Sequence, residues 1–324
     1  MDRLLSVEGL KTEFRTERGV VRAVDNVSYT VDKGEIVGIV GESGCGKSVS
    51  QLSVMQLIPN PPGRITAGKV VLDGTDLLEY KHNSREMCAV RGAEISMIFQ
   101  EPMTSLNPSM TVGKQMAEVM TEHLNLSKKE AWERVIDMLA QVNIPDPTKR
   151  ADDYPHHMSG GMRQRVMIAM AMLCDPQLII ADEATTALDA TIQAQLLELL
   201  YSMVDKYKTA LVMVTHNLGI VARYATRINV MYAGRIIESG TVKEIWSNPA
   251  HPYTEGLLQC VPKLGEMLNP IPGMPPTLIN RPDTCPFVGR CKYHRESCLV
   301  QPNIELTHLE GQHSTACAVR VGGA

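Results

Sequence analysis

This 324-residue sequence lacks three features that would direct it to a membrane, an oxidising compartment or nucleic acid. It has no run of the roughly 20 apolar residues that a membrane-spanning helix needs, and the nearest candidate, VMIAMAMLC at 166–174, suits a buried helix. The start, MDRLLSVEGLKTEF, is charged and alternating, without the apolar segment of a signal peptide. The formal net charge is −4, so nothing favours nucleic-acid binding. We therefore expect a cytosolic protein whose thiols stay reduced, which makes structural disulfides unfavourable.

Short apolar runs alternate with longer helical patterns through the first part of the chain. Such runs suit strands that are covered on both faces, and they occupy 35–40, 93–99, 177–182 and 210–216. Helices are predicted over 127–144, where Ser127 and Glu130 have capping-box spacing, and over 191–207. A hairpin is predicted to turn at Ala233-Gly234. This alternation predicts an α/β fold with a parallel sheet, interrupted by an inserted helical subdomain over about 100–170.

The composition changes near residue 246. From there to the end lie ten of the 19 prolines and five of the eight cysteines, and helix and sheet periodicity fade. A segment of this kind cannot bury much core by itself, and small units usually need a staple such as a metal. We predict a main domain over 1–245 and a Pro- and Cys-rich extension over 246–324.

A glycine-rich loop stands between a predicted strand and a predicted helix, in EIVGIVGESGCGKSVS. Its spacing, Gly41-x4-Gly46-Lys47-Ser48, is that of a phosphate loop, which cradles a nucleotide with backbone N–H groups. Lys47 would reach the β- and γ-phosphates, Ser48 would ligate Mg²⁺, and the following helix directs its positive end at the anion. Cys45 is interpreted as a spacer. The predicted ATP-binding residues are Gly41, Glu42, Ser43, Gly44, Cys45, Gly46, Lys47, Ser48 and Val49.

Other polar residues stand where predicted strands end or helices begin. LIIADEATTALD ends its strand in Asp182-Glu183, where one acid can hold the Mg²⁺ shell and the next can polarise an attacking water. MSGGMRQRV places Ser159, Gly160 and Gly161 at a helix start, which makes a second anion-binding turn. Because one nucleotide needs only one phosphate loop, the second turn predicts a nucleotide held by another subunit.

Each of these polar residues also has a plainer explanation. Ser159 and Asp189 could simply cap helices. His216 in VMVTHN could be a solvated loop histidine, and Gln100 could be a polar strand end. Their order and spacing together are much harder to obtain by chance.

Together these motifs resemble the ATP-binding subunits of ABC transporters over residues 4 to about 245. The resemblance implies a P-loop NTPase of the ABC type, with a RecA-like parallel sheet core, an antiparallel β subdomain and an inserted helical subdomain. It also implies that two such domains pair head to tail, with each ATP between the phosphate loop of one and the signature serine of the other. The blocks occur in the expected order: 41–48, Gln100, the signature at 158–162, the strand end at 178–183, the D-loop at 187–189 and His216.

The resemblance also implies roles for single residues. Glu183 would activate water, and His216 would contact the γ-phosphate. Gln100 would link the nucleotide to the membrane partner, and Asp189 would communicate across the dimer.

Two further ligand contacts follow from the resemblance. Mg²⁺ would be held by Ser48, Gln100 and Asp182. Phe14, on the first strand, would stack on adenine, although its position also suits a core residue.

The sequence departs from the usual family pattern at three positions. Met158 and Met162 stand where Leu and Gln are usual in the signature, and Ala184 follows the acidic strand end where Pro is usual. None of these departures removes a catalytic group, so an active ATPase is expected.

Several segments resemble one branch, the ATPase subunits of bacterial oligopeptide and dipeptide importers: FQEPMTSLNPSMTVG, MSGGMRQRVMIAMA, TTALDATIQAQLLELL and HPYTEGLL. This resemblance covers nearly the whole chain and implies a subunit that powers peptide import from the cytoplasmic face of the cell membrane. Its partners would be two permease subunits, a second ATPase subunit of a different kind and an external peptide-binding protein, with no nucleic acid. Import of nickel or another small solute, a soluble ABC-type ATPase and an electron-transfer protein stay open as alternatives.

The branch also carries spaced cysteines near its C-terminus, which here follow the pattern Cys285-x5-Cys291-x6-Cys298-x18-Cys317. The resemblance implies that these four thiolates ligate a [4Fe–4S] cluster, for which four thiolates are the standard ligand set. A zinc site made of the same thiolates stays open, although zinc sites favour short C-x2–4-C pairs. Four free thiols are a third alternative.

Basic residues lie among these cysteines and could offset the negative charge of a cluster: Arg281, Arg290, Lys292 and Arg295. The cluster would then be the staple that the extension lacks. The other cysteines outside the phosphate loop are expected to pack as small hydrophobes: Cys88, Cys174 and Cys260.

Overall fold

The computed structural model describes residues 2–100, 105–184, 189–262, 270–281, 283–300 and 305–321. The chain forms two compact units. The first unit comprises Met1–Glu79 and Met213–Ala324, and the second comprises Tyr80–Val212. The composition instead predicts a boundary at residue 245, which does not coincide with the division between these units and stays a prediction.

The strands are, in chain order, β1 Arg3–Thr16, β2 Gly19–Asp32, β3 Ile36–Val40, β4 Gly63–Leu72, β5 Thr75–Asp76, β6 Ile95–Ile98, β7 Leu178–Asp182, β8 Ala210–Thr215, β9 Arg227–Tyr232, β10 Arg235–Thr241, β11 Thr307–His308 and β12 Ser314–Thr315. The α-helices are α1 Lys47–Val54, α2 Arg85–Ala93, α3 Val112–His123, α4 Lys128–Gln141, α5 Pro147–Ala151, α6 Gly160–Met172, α7 Ala190–Tyr207, α8 Leu218–Tyr224, α9 Val242–Ser247, α10 Pro252–Gln259, α11 Ser297–Val300 and α12 Ala318–Val321.

The first unit begins with an antiparallel sheet in the order β2-β1-β4-β5. Its three long strands contribute apolar side chains to the core of the unit: Leu5, Leu10, Val24 and Val70 are each fully buried. The antiparallel β subdomain that the family resemblance implies is therefore present.

A second sheet of the first unit runs in the order β11-β12-β10-β9-β3. Strand β3 pairs in parallel with β9, and its residues are all buried, as a strand covered on both faces requires. Strands β9 and β10 form the predicted hairpin, and the turn takes positive φ at Ala233 (46°) and Gly234 (82°). Strand β8 carries the chain from the second unit into the first.

The second unit contains the parallel pair β6 and β7 and most of the helices. Helix α4 begins at the predicted cap, where Ser127 accepts from the Glu130 backbone and the Glu130 carboxylate accepts from the Ser127 backbone. Helices α3, α4, α5 and α6 occupy the stretch for which a helical insertion is predicted. Within the parts of the chain that the structure describes, no helix is both long enough and apolar enough to span a bilayer.

The extension after residue 246 uses the core of the first unit in place of one of its own. Tyr253 and Phe287 are 0% and 3% exposed, and they pack with Tyr232 of β9 at ring-centroid distances of 4.5 and 5.3 Å. Strand β12 adds to the edge of β10, where Glu238 pairs with Thr315. These contacts explain how a segment with short helices and strands stays folded.

A buried cluster of charges ties the extension to strand β2. Arg281 is 4% exposed and donates to the Asp25 carboxylate at 2.7 Å and to the Ala233 carbonyl. Arg235 donates to the same carboxylate oxygen at 2.6 and 2.9 Å. Burial alone would raise the pKa of Asp25, but the two guanidinium groups lower it below the ordinary value of 3.8.

Candidate functional site

The glycine-rich loop joins β3 to α1 in a curve that only glycine permits at two positions. A Cβ atom on Gly41 would lie 2.1 Å from the Met231 carbonyl oxygen. Gly46 has φ of 101°, and a Cβ there would lie 2.2 Å from the Ala23 carbonyl oxygen. The loop is therefore held tightly against neighbouring backbone, with α1 starting directly after it. Backbone N–H groups in such a curve, followed by a helix N-terminus, form an anion-binding concavity.

Lys47 is buried within the curve of this loop. Its ammonium group donates to the carbonyl oxygens of Gly41 at 2.8 Å and Glu42 at 3.1 Å. Ser43 and Gly44 at the tip are exposed, whereas Ser48 and Val49 in the first turn of α1 are half-buried. Contacts of the Lys47 ammonium group with phosphate and of the Ser48 hydroxyl with Mg²⁺ stay predictions.

Cys45 lies inside the loop as the sequence interpretation expects. Its side chain is buried, and its carbonyl accepts a hydrogen bond from the Gly234 backbone at 2.8 Å. Burial raises the pKa of the Cys45 thiol, so the group stays protonated and apolar. Its contribution to the loop is packing.

His216 and Phe14 also belong to the first unit. His216 directly follows β8 and is exposed, and the next residue, Asn217, caps α8 through the Gly219 N–H. Phe14 is half-buried on β1, with its ring edge against Gly63 of β4, where a Cβ would lie 2.7 Å away. The structure thus places Phe14 on the first strand, and its contact with adenine stays a prediction.

In the second unit, the structure brings Gln100 and Glu183 together. Strands β6 and β7 are parallel neighbours in a register that sets Ile98 opposite Ala181. Two residues further along the chain from each of these, just past the strand ends, the Gln100 amide donates to the Glu183 carboxylate at 3.0 Å. Glu183 has a positive φ of 46°, which is uncommon for a residue with a side chain and clusters at functional sites. Asp182, one residue earlier, is only 5% exposed at the end of β7.

The signature segment forms the N-terminus of helix α6. Ser159 caps the helix by accepting from the Met162 backbone at 3.3 Å, and its side chain remains exposed. Gly160 and Gly161 follow as the first helical residues. Met158 is 4% exposed, so an apolar side chain other than the usual Leu suits this position. The plainer explanation of Ser159 as a helix cap is correct, and the same geometry presents a hydroxyl at a helix N-terminus.

Asp189 likewise caps helix α7. Its carboxylate accepts from the backbones of Thr191 at 3.1 Å and Ile192 at 3.0 Å, and the side chain is exposed. The neighbouring predicted D-loop positions 187–188 lie outside the described residues. Ile192 also lies against Gly161, where a Cβ would be 3.3 Å from its methyl group. The starts of α6 and α7 therefore lie side by side within the second unit.

One cavity in the first unit is lined by four of the five cysteines of the extension: Cys285, Cys291, Cys298 and Cys317. Burial, with smaller contributions from the nearby Cys298, Cys291 and Cys317, raises the pKa of Cys285 to about 11. Burial also raises the pKa of Cys291 and of Cys317. Cys317 and Cys298 raise the pKa of Cys291 further, and Cys298 raises that of Cys317. The described residues contain no set of three or more His, Cys, Asp or Glu side chains arranged to hold a single metal ion.

Backbone N–H groups face these sulfurs. Those of Phe287 and Tyr293 are directed at Cys285 and Cys291, respectively. The N–H groups of Val319 and Arg320 are directed at Cys317. Hydrogen bonds of this kind stabilise thiolates and tune the potential of iron–sulfur clusters. Four thiols are the donor type that such a cluster uses, and binding of a cluster here stays a prediction.

Two family descriptions match the chain. "ABC transporter" matches residues 24–186, which is half of the chain, and "Oligopeptide/dipeptide transporter, C-terminal region" matches residues 237–298.

The chain belongs to the ABC transporter family.

Curated relatives and solved structures agree with this membership. The dipeptide transport ATP-binding protein DppD of Bacillus subtilis (strain 168) is 50% identical over 301 residues, covering 92% of this chain and 89% of that protein. The oligopeptide transport ATP-binding protein OppD of the same organism is 51% identical over 295 residues, with coverage of 90% and 82%. The dimeric structure of MJ0796, described as a bacterial ABC transporter cassette, is 25% identical with a TM-score of 0.65, covering 74% of this chain and 98% of that one.

These matches confirm the fold and the activity that the motifs predict. The chain has the ABC ATPase cassette fold, and it is an ATP-hydrolysing subunit of that family. The roles of the individual residues stay predictions: the phosphate loop, Phe14, Gln100, the signature turn, Asp182, Glu183, Asp189 and His216.

One expectation about the cysteines is wrong, and one about the basic residues stays a prediction. Arg281, Arg290 and Lys292, which are expected to offset a cluster charge, form ion pairs with the carboxylates of Asp25, Glu42 and Glu255. Cys88 does not pack as a small hydrophobe: it is exposed on α2, whereas Cys174 is buried and Cys260 half-buried.

The ion pair between Arg290 and Glu42 is a feature that sequence reasoning missed. It joins the extension to the second residue of the phosphate loop, across 248 positions of sequence. The Tyr253 hydroxyl also accepts a hydrogen bond from the Glu42 backbone N–H at 2.8 Å. No spacing or periodicity in the sequence signals contacts between residues so far apart.

Proposed function

We propose that this chain powers the import of dipeptides or oligopeptides by hydrolysing ATP. The observation that carries the proposal is the presence, on one chain, of an ABC cassette and of the oligopeptide/dipeptide transporter C-terminal region. The relatives that are 50% and 51% identical are named for dipeptide and oligopeptide transport, which supports this class of cargo.

In the first unit, the phosphate loop is proposed to hold the ATP phosphates. Its backbone N–H groups and the N-terminus of α1 face the anion, and the buried Lys47 ammonium neutralises the β- and γ-phosphates. His216, exposed at the end of β8, is proposed to contact the γ-phosphate. Phe14 is proposed to stack on adenine.

In the second unit, Glu183 is proposed to act as the general base. Its carboxylate takes the proton of the attacking water as the water oxygen bonds to the γ-phosphorus. The bond from that phosphorus to the β–γ bridging oxygen breaks at the same time, and ADP leaves with the electron pair. The hydrogen bond from Gln100 orients the carboxylate. Mg²⁺ would be held by the Ser48 hydroxyl, the Gln100 amide oxygen and the Asp182 carboxylate, and when bound it would neutralise charge on the phosphates.

The signature turn is proposed to serve an ATP molecule on a second ATPase subunit. Ser159 is exposed at the N-terminus of α6, where its hydroxyl and the Gly160 and Gly161 N–H groups can receive a phosphate. Asp189 caps the neighbouring helix and is proposed to sense the partner. The other proposed partners are two permease subunits and an external peptide-binding protein, with this chain peripheral at the cytoplasmic face.

Transport by the reconstituted complex tests the cargo. We expect ATP-dependent uptake of labelled di- and oligopeptides into vesicles that contain the chain with its permease and second ATPase subunits. A Lys47→Ala variant should abolish that uptake, because it removes the charge that binds the phosphates. Uptake of nickel but of no peptide would contradict the cargo. Recovery of an active chain with no membrane partner would contradict the transport role itself.

We also propose that Cys285, Cys291, Cys298 and Cys317 hold a [4Fe–4S] cluster. The support is that the four thiols line one cavity and that backbone N–H groups face three of the sulfurs. When bound, the cluster would cross-link the segment that contains Cys285, Cys291 and Cys298 to Cys317, near the end of the extension.

Replacing one cysteine tests this site. In protein purified without oxygen, we expect about four iron atoms and a matching amount of acid-labile sulfide per wild-type chain. Cys291→Ser should lose most of both, because a hydroxyl is a poor ligand for the cluster. Cys260→Ser is the matched control, since Cys260 is half-buried in the same segment but does not line the cavity, and it should retain both. Stoichiometric zinc without sulfide would show that the site is a zinc site.

A further inference from the structure

The extension reaches the phosphate loop through one arginine. Arg290 lies directly before Cys291 and is 7% exposed as a side chain. Its two terminal nitrogens donate to the two carboxylate oxygens of Glu42 at 2.7 and 3.0 Å. This is the two-pronged geometry in which an arginine binds a carboxylate most strongly and most specifically.

The remaining donors of Arg290 hold its guanidinium plane in place. The Nε atom donates to the Pro272 carbonyl at 3.0 Å, and a terminal nitrogen donates to the Ile271 carbonyl at 3.3 Å. The Tyr232 hydroxyl lies 3.4 Å from the other terminal nitrogen. The guanidinium group therefore has one orientation, and Glu42 must meet it there.

A tyrosine from the same extension holds the backbone at this point. The Tyr253 hydroxyl accepts from the Glu42 N–H at 2.8 Å, and Tyr253 is completely buried. Phe287, two residues after Cys285, packs against Tyr253 at 5.5 Å and against Tyr232 at 5.3 Å. The segment from Cys285 to Cys291 thus supplies Phe287, which packs against the tyrosine that holds the Glu42 backbone, and Arg290, which pairs with the Glu42 side chain.

The contacts bear directly on the lysine that binds phosphate. The carbonyl of Glu42 is one of the two acceptors that hold the Lys47 ammonium group. Since Arg290 fixes the side chain of Glu42 and Tyr253 fixes its backbone, both the curve of the loop and the position of Lys47 depend on the extension. Geometry shifts of even 1 Å at such a site are costly for binding and catalysis.

We propose that Arg290 is a positioning residue for the phosphate loop, through which the cysteine-rich extension sets the affinity of the ATPase for ATP. The residue acts through Glu42 and does not touch the nucleotide. Without Arg290, the loop also samples conformations that do not bind phosphate. The apparent affinity for ATP then falls in proportion to the fraction of molecules whose loop is in the binding conformation. The ATPase assay below does not depend on which cargo is carried.

Steady-state ATPase kinetics of the purified complex test the proposal. We expect Arg290→Gln to raise KM for ATP by about 10-fold while kcat changes by less than about threefold, since a contact of this kind couples its partners at that scale and acts before chemistry. Arg290→Lys should recover part of the affinity, because an ammonium group keeps the charge but makes one contact in place of two. Arg22→Gln is the matched control: it breaks the exposed ion pair of Arg22 with Asp283, which joins the extension to strand β2, and KM should not change.

A double-mutant cycle separates positioning from general destabilisation. If Arg290 acts through Glu42, the variant carrying Glu42→Gln and Arg290→Gln should have a KM no higher than the worse single variant. Additive effects, or a KM for Arg290→Gln within about twofold of wild type even when its melting temperature falls, would overturn the proposal. Should the glutamine variant fail to fold, the lysine variant carries the same comparison.

Discussion

Glu183→Gln should slow ATP hydrolysis by about 10²- to 10⁴-fold, the range that a general base supplies, while ATP binding is retained. The amide keeps the shape of the side chain and an oxygen that can accept the hydrogen bond from Gln100. It cannot take a proton from water at neutral pH. Single-turnover hydrolysis and equilibrium ATP binding, measured on the same purified complex, check the two halves of this expectation.

The control for this variant is Glu133→Gln on helix α4. Glu133 has 67% of its side chain exposed and forms a surface ion pair with Lys129, so its replacement should leave turnover unchanged. Near-normal turnover of Glu183→Gln would remove Glu183 from the role of base. Loss of ATP binding in the same variant would instead show that the carboxylate is needed for the ligand.

Asp25→Ala should lower the free energy of unfolding by about 3–5 kcal/mol, the cost of removing one partner from a buried ion pair. The change leaves the guanidinium group of Arg281, which is 4% exposed, without its carboxylate. It also frees Arg235, whose two hydrogen bonds go to the same oxygen. Urea denaturation of the full-length chain at neutral pH measures the difference.

The matched control and the pH dependence make this test specific. Asp283→Ala removes a carboxylate that is 70% exposed and paired with Arg22, and it should cost less than about 1 kcal/mol. Because the folded-state pKa of Asp25 is lowered below 3.8, its contribution is present above that pH and is lost as pH falls through the lowered value. The difference between wild type and Asp25→Ala should therefore shrink in acid. An equal loss in both variants would show that the buried cluster carries no special stability.

The nucleotide-binding half of the molecule was largely predictable from the sequence, because its signals are local. The loop at 41–48 is set by glycine spacing between a strand and a helix, and the structure gives the steric reason at Gly41 and Gly46. The Ser127 capping box and the turn at Ala233-Gly234 likewise depend on neighbouring residues only. Strand ends could be assigned for the same reason, which placed Gln100 and Glu183 at the correct edge of the sheet.

The meeting of Gln100 with Glu183 could not be predicted from either strand alone. It depends on the parallel register of β6 and β7, which sets Ile98 opposite Ala181. Hydrogen-bond register between strands is determined by packing and by the connections, and a sequence pattern with period two does not report it.

The ion-pair partners of the basic residues could not be predicted from local patterns. Arg281, Arg290 and Lys292 lie among the cysteines in the sequence, but each side chain pairs with a carboxylate that is distant in sequence. A buried cation such as Arg281 must be paired, and the fold decides its partner. Short-range patterns in the sequence by themselves determined the loop, the helix caps, the order of the motifs and the four spaced cysteines. Only the tertiary structure decided that Phe287 of the extension packs against Tyr232 in the core and that Arg290 forms an ion pair with Glu42 of the phosphate loop. Both contacts join residues that are distant in sequence and that only folding brings within a few ångströms.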